Sequence, residues 1–580
     1  MSSIASPHTF HRLLTLTRYL PDILSLSEFL LKAFLIYYIC YIVFIYRNTA
    51  LGITPRPDLS GPQGLPLLGN TIYMLFRRPK GKKYQTQTRL HEEFGKVYTV
   101  TVLGFSRMIN IRDSAMIEHV LKTQFSKYEK GEFFRTVLEP LIGGGIFGAD
   151  GQHWRWQRKL ASHIFNARAL RDYTSDVFCQ EAQLVVDYFT KIAADPCIET
   201  EDGYGDTRKT KKENTILDLQ KIFLLFTLDS FSEIAFGQSI GCLENPERPV
   251  EFALAFDRMN SNLYKRFCSP FYKWTEWWTG MDQQIERDRK VIYDFAYNVI
   301  RRRRESEETD EEENGKQDYH SEVYEGSKSQ SRKKRRKDGG KKDLVQLFMD
   351  VEDENGEQLS DSALKDILLN FVLAGRDTTA QALSWMFYLI FRPDSCQNIR
   401  ERLLAEIDSV FPTHSEKDTD TIHPTYETIK SLRYAEACFL ESLRLYPSVP
   451  HNIRACTEDD ILPGGVHIYK GEMVAWSSWA MGRDTATWGA DAKEFRPERW
   501  LQGDKVSPAK FVAFHMGPRS CLGQQFATVE ALTITSMLLR KFTFELVDPH
   551  KEPAYQQAVT LPMAEGLPVR VKRRSRAMEV

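Results

Sequence analysis

Residues 514–542, FHMGPRSCLGQQFATVEALTITSMLLRKF, constrain this chain more than any other stretch. A Gly/Pro-rich loop delivers Cys521 and then Gly523 to the start of a long helical pattern. A sulfur at that place sits near backbone N–H groups and the positive end of a helix dipole, which favours thiolate over thiol and suits a soft or borderline metal. Gly517 and Gly523 let a flat ring approach the backbone, and Arg519 supplies a fork suited to a carboxylate. Cys-x-Gly alone equally fits an ordinary loop–helix junction with a free cysteine. The nine cysteines are widely scattered and odd in number, with no pair spaced to clip zinc, so neither a zinc site nor a disulfide framework is expected.

The full pattern FxxGxRxCxG, written here as Phe514, Gly517, Arg519, Cys521 and Gly523, is far rarer. It resembles the haem-binding loop of the cytochrome P-450 family. The resemblance implies that the Cys521 thiolate is the axial ligand of a haem b iron and pushes electron density towards O–O cleavage. It also implies that Phe514 lies against the sulfur side and tunes the potential by burial.

Three further motifs follow the family's order. AGRDTTA, residues 374–380, interrupts the apolar run DILLNFVLAGRDTTAQALSWMFYLIF. Gly, Asp and two Thr at the centre of a helix cost about 2 kcal/mol relative to Ala. One reading is a kinked core helix whose Thr hydroxyls bond back one turn. The other resembles the family's oxygen-activating motif, with Gly375 leaving room for a diatomic or substrate and Asp377 and Thr378 relaying protons. FLESLRLYPSVP, residues 439–450, puts Glu441 and Arg444 three apart on one helical face, which alone describes a surface pair. With FRPERW, residues 495–500, it resembles the family's Glu-Arg-Arg triad, closed by Arg499, a structural network rather than a catalytic one. GQHWRWQRKLASHIF, residues 151–165, sets Trp154 and Arg158 at i, i+4, either as a Trp packed on an Arg stem or, as the WxxxR resemblance implies, holding a haem propionate. Arg454 aligns with another propionate-pairing position. The resemblance spans residues 60–572. Ser520 before the cysteine, MGRD at 481–484 without a His before the Arg, and a long charged insert depart from the usual pattern.

Outside these motifs the chain divides plainly. Residues 29–46, FLLKAFLIYYICYIVFIY, have the length of a bilayer span, broken by Lys32 and closed by Arg47. A retained anchor is expected, the alternative being a buried core helix, and residues 8–28 suit an amphipathic segment in the interface. The division is therefore a 1–54 anchor region, a 55–70 Pro/Gly-rich hinge, and a 71–580 monooxygenase domain. The period-two stretch 96–113 predicts a hairpin, and strands are expected near 452–476 and 541–572. Apolar residues three and four apart predict helices over 152–192, 216–238, 283–304, 362–391, 398–410 and 425–445. The expected fold class is mainly α with small β-sheets, a cytochrome P-450 fold preceded by an N-terminal membrane anchor. Residues 301–342 carry 25 charged residues in 42. They predict a solvated, disordered insert, favoured over a nuclear-import signal at the basic run 333–337.

With 77 Lys+Arg against 78 Asp+Glu, no whole-protein field draws the chain to nucleic acid. The lack of Asn-x-Ser/Thr fits a cytosolic body. The resemblance then implies an endoplasmic-reticulum-anchored haem-thiolate monooxygenase that uses O2, with electrons from NADPH through a separate diflavin reductase. GGGIFGADGQHWRWQRKLASHIF, AGRDTTAQALSW, WGADAKEFRPERWL and PRSCLGQQFA most resemble the fungal and plant branch that hydroxylates fatty acids and alkanes at or near the chain end. A tailoring oxidase of terpenoids or similar metabolites is the alternative, and a membrane-tethered interaction protein with a degenerate haem site is a distant one. Substrate-lining candidates are Phe125–Phe134, Phe371–Ala374, Val449–His451 and Val559–Met563, where His451 suits a carboxylate or hydroxyl, or is an exposed loop residue.

Overall fold

A computed structural model describes residues 26, 28–74, 82–162, 170–194, 197–201, 207–211, 216–237, 239–320, 344–351, 356–393, 397–411, 424–503 and 505–574. Most of the amphipathic stretch 8–28 and the basic run 333–337 lie outside these residues. The helix Glu28–Ile45 has mean hydropathy 1.9 and none of it is buried. Its one internal cation, Lys32, pairs with Glu28 at 2.6 Å one turn away, which lessens the cost of a charge at the edge of hydrocarbon.

The Pro/Gly-rich segment 55–70 is docked against the body at several points. Arg56 holds Glu472 at 3.2 Å, the Thr99 N–H donates to the Ser60 carbonyl at 2.9 Å, and Asn70 Nδ2 donates to the Pro62 carbonyl at 2.8 Å. Backbone carbonyls that cannot join a helix find donors here in the neighbouring hairpin and in the Asn70 side chain.

That hairpin pairs Val97–Val100 with Met108–Ile111. It belongs to a five-stranded sheet in the spatial order Val97–Val100, Met108–Ile111, Met473–Ser477, His451–Cys456, Tyr128–Glu129. A second sheet joins Phe542–Leu546, Pro568–Arg573 and Ile216–Asp218. The last strand corrects the expected helix start at 216. The helix begins at Leu219 because the Asp218 carboxylate accepts from the Gln220 N–H at 3.0 Å and also from the Leu567 N–H at 2.8 Å.

Helices fill the rest. The axis of the body runs from Asp361 to Phe391, and helices Leu219–Phe236, Arg433–Leu445 and Gln524–Lys541 pack against it. Trp385 fixes this packing by stacking on Tyr446 at 4.0 Å and donating Nε1–H to the Leu561 carbonyl at 2.8 Å. The charged insert differs from expectation at its start. Residues up to His320 continue the helix from Met281, since Arg and Glu are good helix formers, while residues 321–343 lie outside the described set.

Glu441, Arg444 and Arg499 form one buried network. Arg444 donates Nε–H and Nη2–H to the Glu441 carboxylate at 2.8 and 2.7 Å. Arg499 Nε–H, Trp500 Nε1–H and the Arg496 N–H complete five bonds to the same carboxylate. The remaining guanidinium donors go to the carbonyls of Gly482, Ala492, Glu494, Trp488 and Asp491. This ties the helix Arg433–Leu445 to the segment 482–500. Glu441→Ala leaves the buried Arg444 guanidinium without its counter-charge, and Arg499 with Asp491 alone, and is expected to cost about 3–5 kcal/mol. Glu436→Ala, which breaks a pair with Arg433 in which Arg433 is 74% exposed, should cost under about 1 kcal/mol. Denaturation midpoints of the two variants check this, and equal losses would show the network to be no more than a surface pair.

Candidate active site

A cavity of about 650 Å³ opens inside the body, with Cys521, Thr378 and Arg519 all on its wall. The Cys521 N–H donates to the Phe514 carbonyl at 2.8 Å and closes the loop, while the Gly523 N–H bonds the sulfur. The Cys521 side chain is exposed to the cavity and not to bulk water. Burial therefore pushes its thiol up, and the opposing pulls of the Gly523 N–H and the Arg158 charge are smaller. The expected thiolate preference from the helix terminus is thus outweighed by desolvation; a metal would supply the charge that releases the proton.

The two loop glycines serve different ends. Gly523 lies on the cavity wall, as a flat ring requires. Gly517 does not: its φ is +68° and a Cβ there would stand 2.0 Å from the Leu121 carbonyl oxygen. Its need is backbone packing against the turn 119–123 rather than access for a ring. His515 adopts φ +61° and is held there by Arg454, whose Nη2–H donates to Nε2 at 2.8 Å, and by a 3.1 Å bond from Nδ1 to the Met516 carbonyl.

Four cations surround this end of the cavity. Arg519 donates Nη2–H to the Ala149 carbonyl and the Asp150 carboxylate, both at 2.7 Å, and stacks 4.4 Å over the Trp154 ring, while its Nε is buried with no partner. Arg158 reaches Ser520 Oγ at 3.3 Å. Arg454 bonds the Ile453 carbonyl and His515, and Lys130 lies 4.2 Å over Phe134. Burial, with added repulsion from neighbouring cations, lowers Arg454 to about 9 and Lys130 well below its ordinary value. Burial also lowers Arg519 to about 10 and depresses Arg158, against the pull of nearby negative charge.

On the facing wall the central helix changes pitch. Asp361–Val372 passes into a π-turn at Leu373–Asp377 and resumes as Thr378–Phe391. Such a turn absorbs the poor helix formers and re-aims the next residues. Thr378 lies on the cavity wall and donates Oγ1–H to the Ala374 carbonyl at 2.6 Å. Asp377 is not part of the wall: its carboxylate accepts from Arg376 Nη1 at 2.9 Å and Asn260 Nδ2 at 2.8 Å, and Arg376 is also paired with Asp257. Asp377 and Thr378 therefore meet different surroundings, as consecutive residues on a helical turn do. Burial raises the Asp377 carboxyl against the pull of Arg376. Gly375 touches the cavity, but a Cβ on it would meet Phe231 Cδ2 at 2.3 Å, so its missing side chain serves helix packing rather than room for a diatomic alone.

A family model described as cytochrome P450 matches residues 59–567. The chain belongs to the cytochrome P450 family. Cytochrome P450 monooxygenase cyp1 of Mycosarcoma maydis is 34% identical over 545 residues, 91% of this chain and 78% of the relative. Cytochrome P450 704B1 of Arabidopsis thaliana is 34% identical over 543 residues, covering 89% of this chain and 95% of the relative. Cytochrome P450 86B1 of the same plant is 35% identical over 478 residues, 80% and 77% of the two chains. This cytochrome P450 is thus a haem-iron monooxygenase that uses O2, a lipophilic substrate and a redox partner.

The residues present fit a haem. Among the described residues no group of three or more His, Cys, Asp or Glu forms a metal cage, so iron would meet one sulfur and must bring its remaining ligands on a ring. Arg519 Nε has no partner, and positive charge at that end exceeds what Asp150 offsets, as two ring carboxylates would balance.

Lys130 falls within the expected lining segment Phe125–Phe134, though its charge was not singled out, and His515 stands inside the cysteine loop at a position that the FxxGxRxCxG pattern leaves open. The expected lining segments contribute Phe133, Phe134, Phe371, Ala374, His451 and Val559, among others, whereas Phe125 packs on Trp154 at 5.3 Å and Met563 bonds Gln220. The wall also takes in the helices Lys83–Phe94 and Glu251–Cys268, which had no distinctive motif. Gly375→Ala gains helix propensity yet collides with Phe231, and overpacking of this kind costs about 1–3 kcal/mol. Adding Phe231→Leu should recover part of that loss in a double-mutant cycle of unfolding energies. A Gly375→Ala protein as stable as the parent would remove the packing role.

Proposed function

We propose that this cytochrome P450 is a haem-thiolate enzyme of the endoplasmic reticulum membrane that hydroxylates fatty acids or alkanes at or near the chain terminus. Two electrons come from NADPH through a separate diflavin reductase. The single observation that carries the reading is one cavity whose wall joins the Cys521 sulfur, the Thr378 hydroxyl and an aromatic lining. When bound, the haem would supply activation of O2 and insertion of one oxygen atom into a C–H bond, and the Cys521 sulfur would hold its iron.

The chain's own groups would then divide the work. Lys130, Arg158, Arg454 and Arg519 hold the ring carboxylates, Trp154 orients Arg519 by stacking, and Phe514 lies on the cavity wall beside the sulfur loop. Gly517 lets that loop pack on the 119–123 turn, and Gly523 anchors the sulfur. The Thr378 hydroxyl delivers a proton at the cavity wall, and its backbone is held by Ser448 Oγ, which donates to the Thr378 carbonyl at 2.7 Å. Asp377 acts behind the wall: raised by burial, it takes up a proton more readily than a surface carboxylate, and Arg376 links it to Asp257, which is 48% exposed. Glu441, Arg444 and Arg499 keep the scaffold under the site rigid.

Membrane attachment rests on the exposed apolar helix Glu28–Ile45. Phe271, Trp274, Trp277 and Trp278 are also exposed, at 53, 62, 66 and 72%, and Ser269–Phe271 line the cavity. Pro270 packs on Gly104 at the tip of the hairpin, and Val102 of that hairpin bridges to Gly69 of the connector. Anchor exit and aromatic patch thus meet at one hairpin, a placement that suits rings lying at a bilayer interface and a substrate drawn from lipid. The body stays on the cytosolic side in this reading, as the connector's short reach and the reductase require.

Thr378→Ala removes the hydroxyl and spares the helix, so haem content and substrate binding should persist. NADPH consumption should continue while hydroxylated product falls about 10²-fold or more and hydrogen peroxide takes its place. Product per NADPH equal to that of the parent would show Thr378 to be a helix residue only.

A further inference from the structure

Among the described residues, three side chains on the cavity wall keep a buried polar atom with no hydrogen-bond partner: Arg519 Nε, Gln87 Oε1 and Asn110 Nδ2. Arg519 belongs to the cation cluster beside the sulfur loop. The other two come from different elements, Gln87 from the helix Lys83–Phe94 and Asn110 from the strand Met108–Ile111. Gln87 commits its Nε2–H to His451 Nδ1 at 3.0 Å, so its amide oxygen is what remains. Asn110 is 4% exposed and stands opposite Tyr98 on one neighbouring strand and Ala475 on the other, with Ile453 next in the same row. The adjacent row is Val100, Met108 and Met473. Side chains of successive rows share one face of the sheet, and Asn110 is the polar member of these two rows with an amide to offer.

An N–H buried without an acceptor costs more than a leucine of the same shape would, and packing alone gives no reason for an amide here. A bound molecule that completes the hydrogen bond does. The last torsion of an asparagine side chain is broad, so a modest turn brings Nδ2 to face the cavity that the residue lines. The wall then offers one N–H from Asn110 and one amide oxygen from Gln87, both uncharged. A hydroxyl is the complement of that set, since it accepts one hydrogen bond and donates another. A carboxylate is not: it would accept from Asn110 alone, face the Gln87 oxygen with a like charge, and lose hydration that a single neutral N–H does not replace. An alkane would satisfy neither group.

We propose that Asn110 and Gln87 form a subsite for a hydroxyl carried by the substrate, so that among chains of one length the one bearing a hydroxyl binds tightest. This rests on the reading of the cavity as a site for lipophilic chains. Both are specificity residues; they take no part in the proton transfers.

The full-length haem-loaded enzyme is titrated with hexadecanol, its methyl ether, hexadecane and hexadecanoic acid, following the spin-state change in the haem spectrum, and its thermal midpoint is measured without ligand. The parent should bind the alcohol about fivefold or more tighter than the alkane, the scale of neutral hydrogen bonds to buried groups. Asn110→Leu keeps the shape and should erase that preference, leaving alkane binding within about twofold of the parent or tighter. Its thermal midpoint should equal or exceed the parent's, because the variant no longer buries an unpaired N–H. Gln87→Met should weaken the alcohol and spare the ether, which accepts a hydrogen bond but has none to donate. An alcohol-to-alkane ratio unchanged in both variants, while the alkane still binds, overturns this inference and leaves the proposed function standing. A lowered midpoint in Asn110→Leu with the ratio unchanged would mark Asn110 as a packing residue and overturn it too. If hexadecanoic acid binds tighter than the alcohol and loses that advantage in Asn110→Leu, the subsite takes a carboxylate and the inference is wrong. If none of the four compounds perturbs the parent spectrum, the chain-binding reading itself fails and the inference falls with it.

Discussion

Four cations, Lys130, Arg158, Arg454 and Arg519, are buried at one end of a single cavity around too little negative charge of the protein's own. Each loses hydration there, and Lys130, Arg454 and Arg519 also feel the charge of a neighbouring cation. A fold keeps such an arrangement only if an anionic occupant returns the lost energy on binding. The Asp150 carboxylate organises the surrounding loop by accepting from the Lys130 and Gly131 N–H groups and from Arg135 and Arg519, so it is largely committed. The carboxylates of a haem would complete the charge balance, and the sulfur of Cys521 lies on the wall of the same cavity.

How much of this was legible in the sequence follows the range of the interactions involved. The Cys521 loop, the Glu441–Arg444 pair and the Trp154–Arg158 helix combine fixed residue types at fixed short spacings, and Arg499 joins the pair from a separate motif. The 96–113 hairpin was legible from its period of two. The strand Ile216–Asp218 was not, since its apolar pattern continues into the following helix and only pairing with residues 568–570 reveals it. Lys130 shares part of this invisibility: its segment was expected to line the cavity, but only the fold shows its charge beside Arg454 and Arg519. Gly517 and Gly375 were read as access for a ring and a diatomic. Their closest neighbours are instead the Leu121 carbonyl and the Phe231 ring.

The central helix shows why a motif can be right in position and wrong in detail. AGRDTTA does interrupt the helix, but as a π-turn that separates Thr378, on the cavity, from Asp377, in a charged network with Arg376 and Asn260. In the proposed function a proton would pass from the buried Asp377 to the Thr378 hydroxyl, which bonds back to the Ala374 carbonyl one turn earlier. Local helix instability, which costs stability, here yields a side chain aimed at the substrate space.

The account stands or falls on the sulfur of Cys521 as the iron's ligand. The most direct measurement is the absorption spectrum of the dithionite-reduced holoenzyme under carbon monoxide, for the parent chain and for Cys521→His. The parent should show the long-wavelength band that marks thiolate ligation, and the histidine variant, if it holds haem, should show instead the shorter-wavelength band of an imidazole-ligated haem. A long-wavelength band that persists in Cys521→His would place the thiolate elsewhere and contradict the central claim.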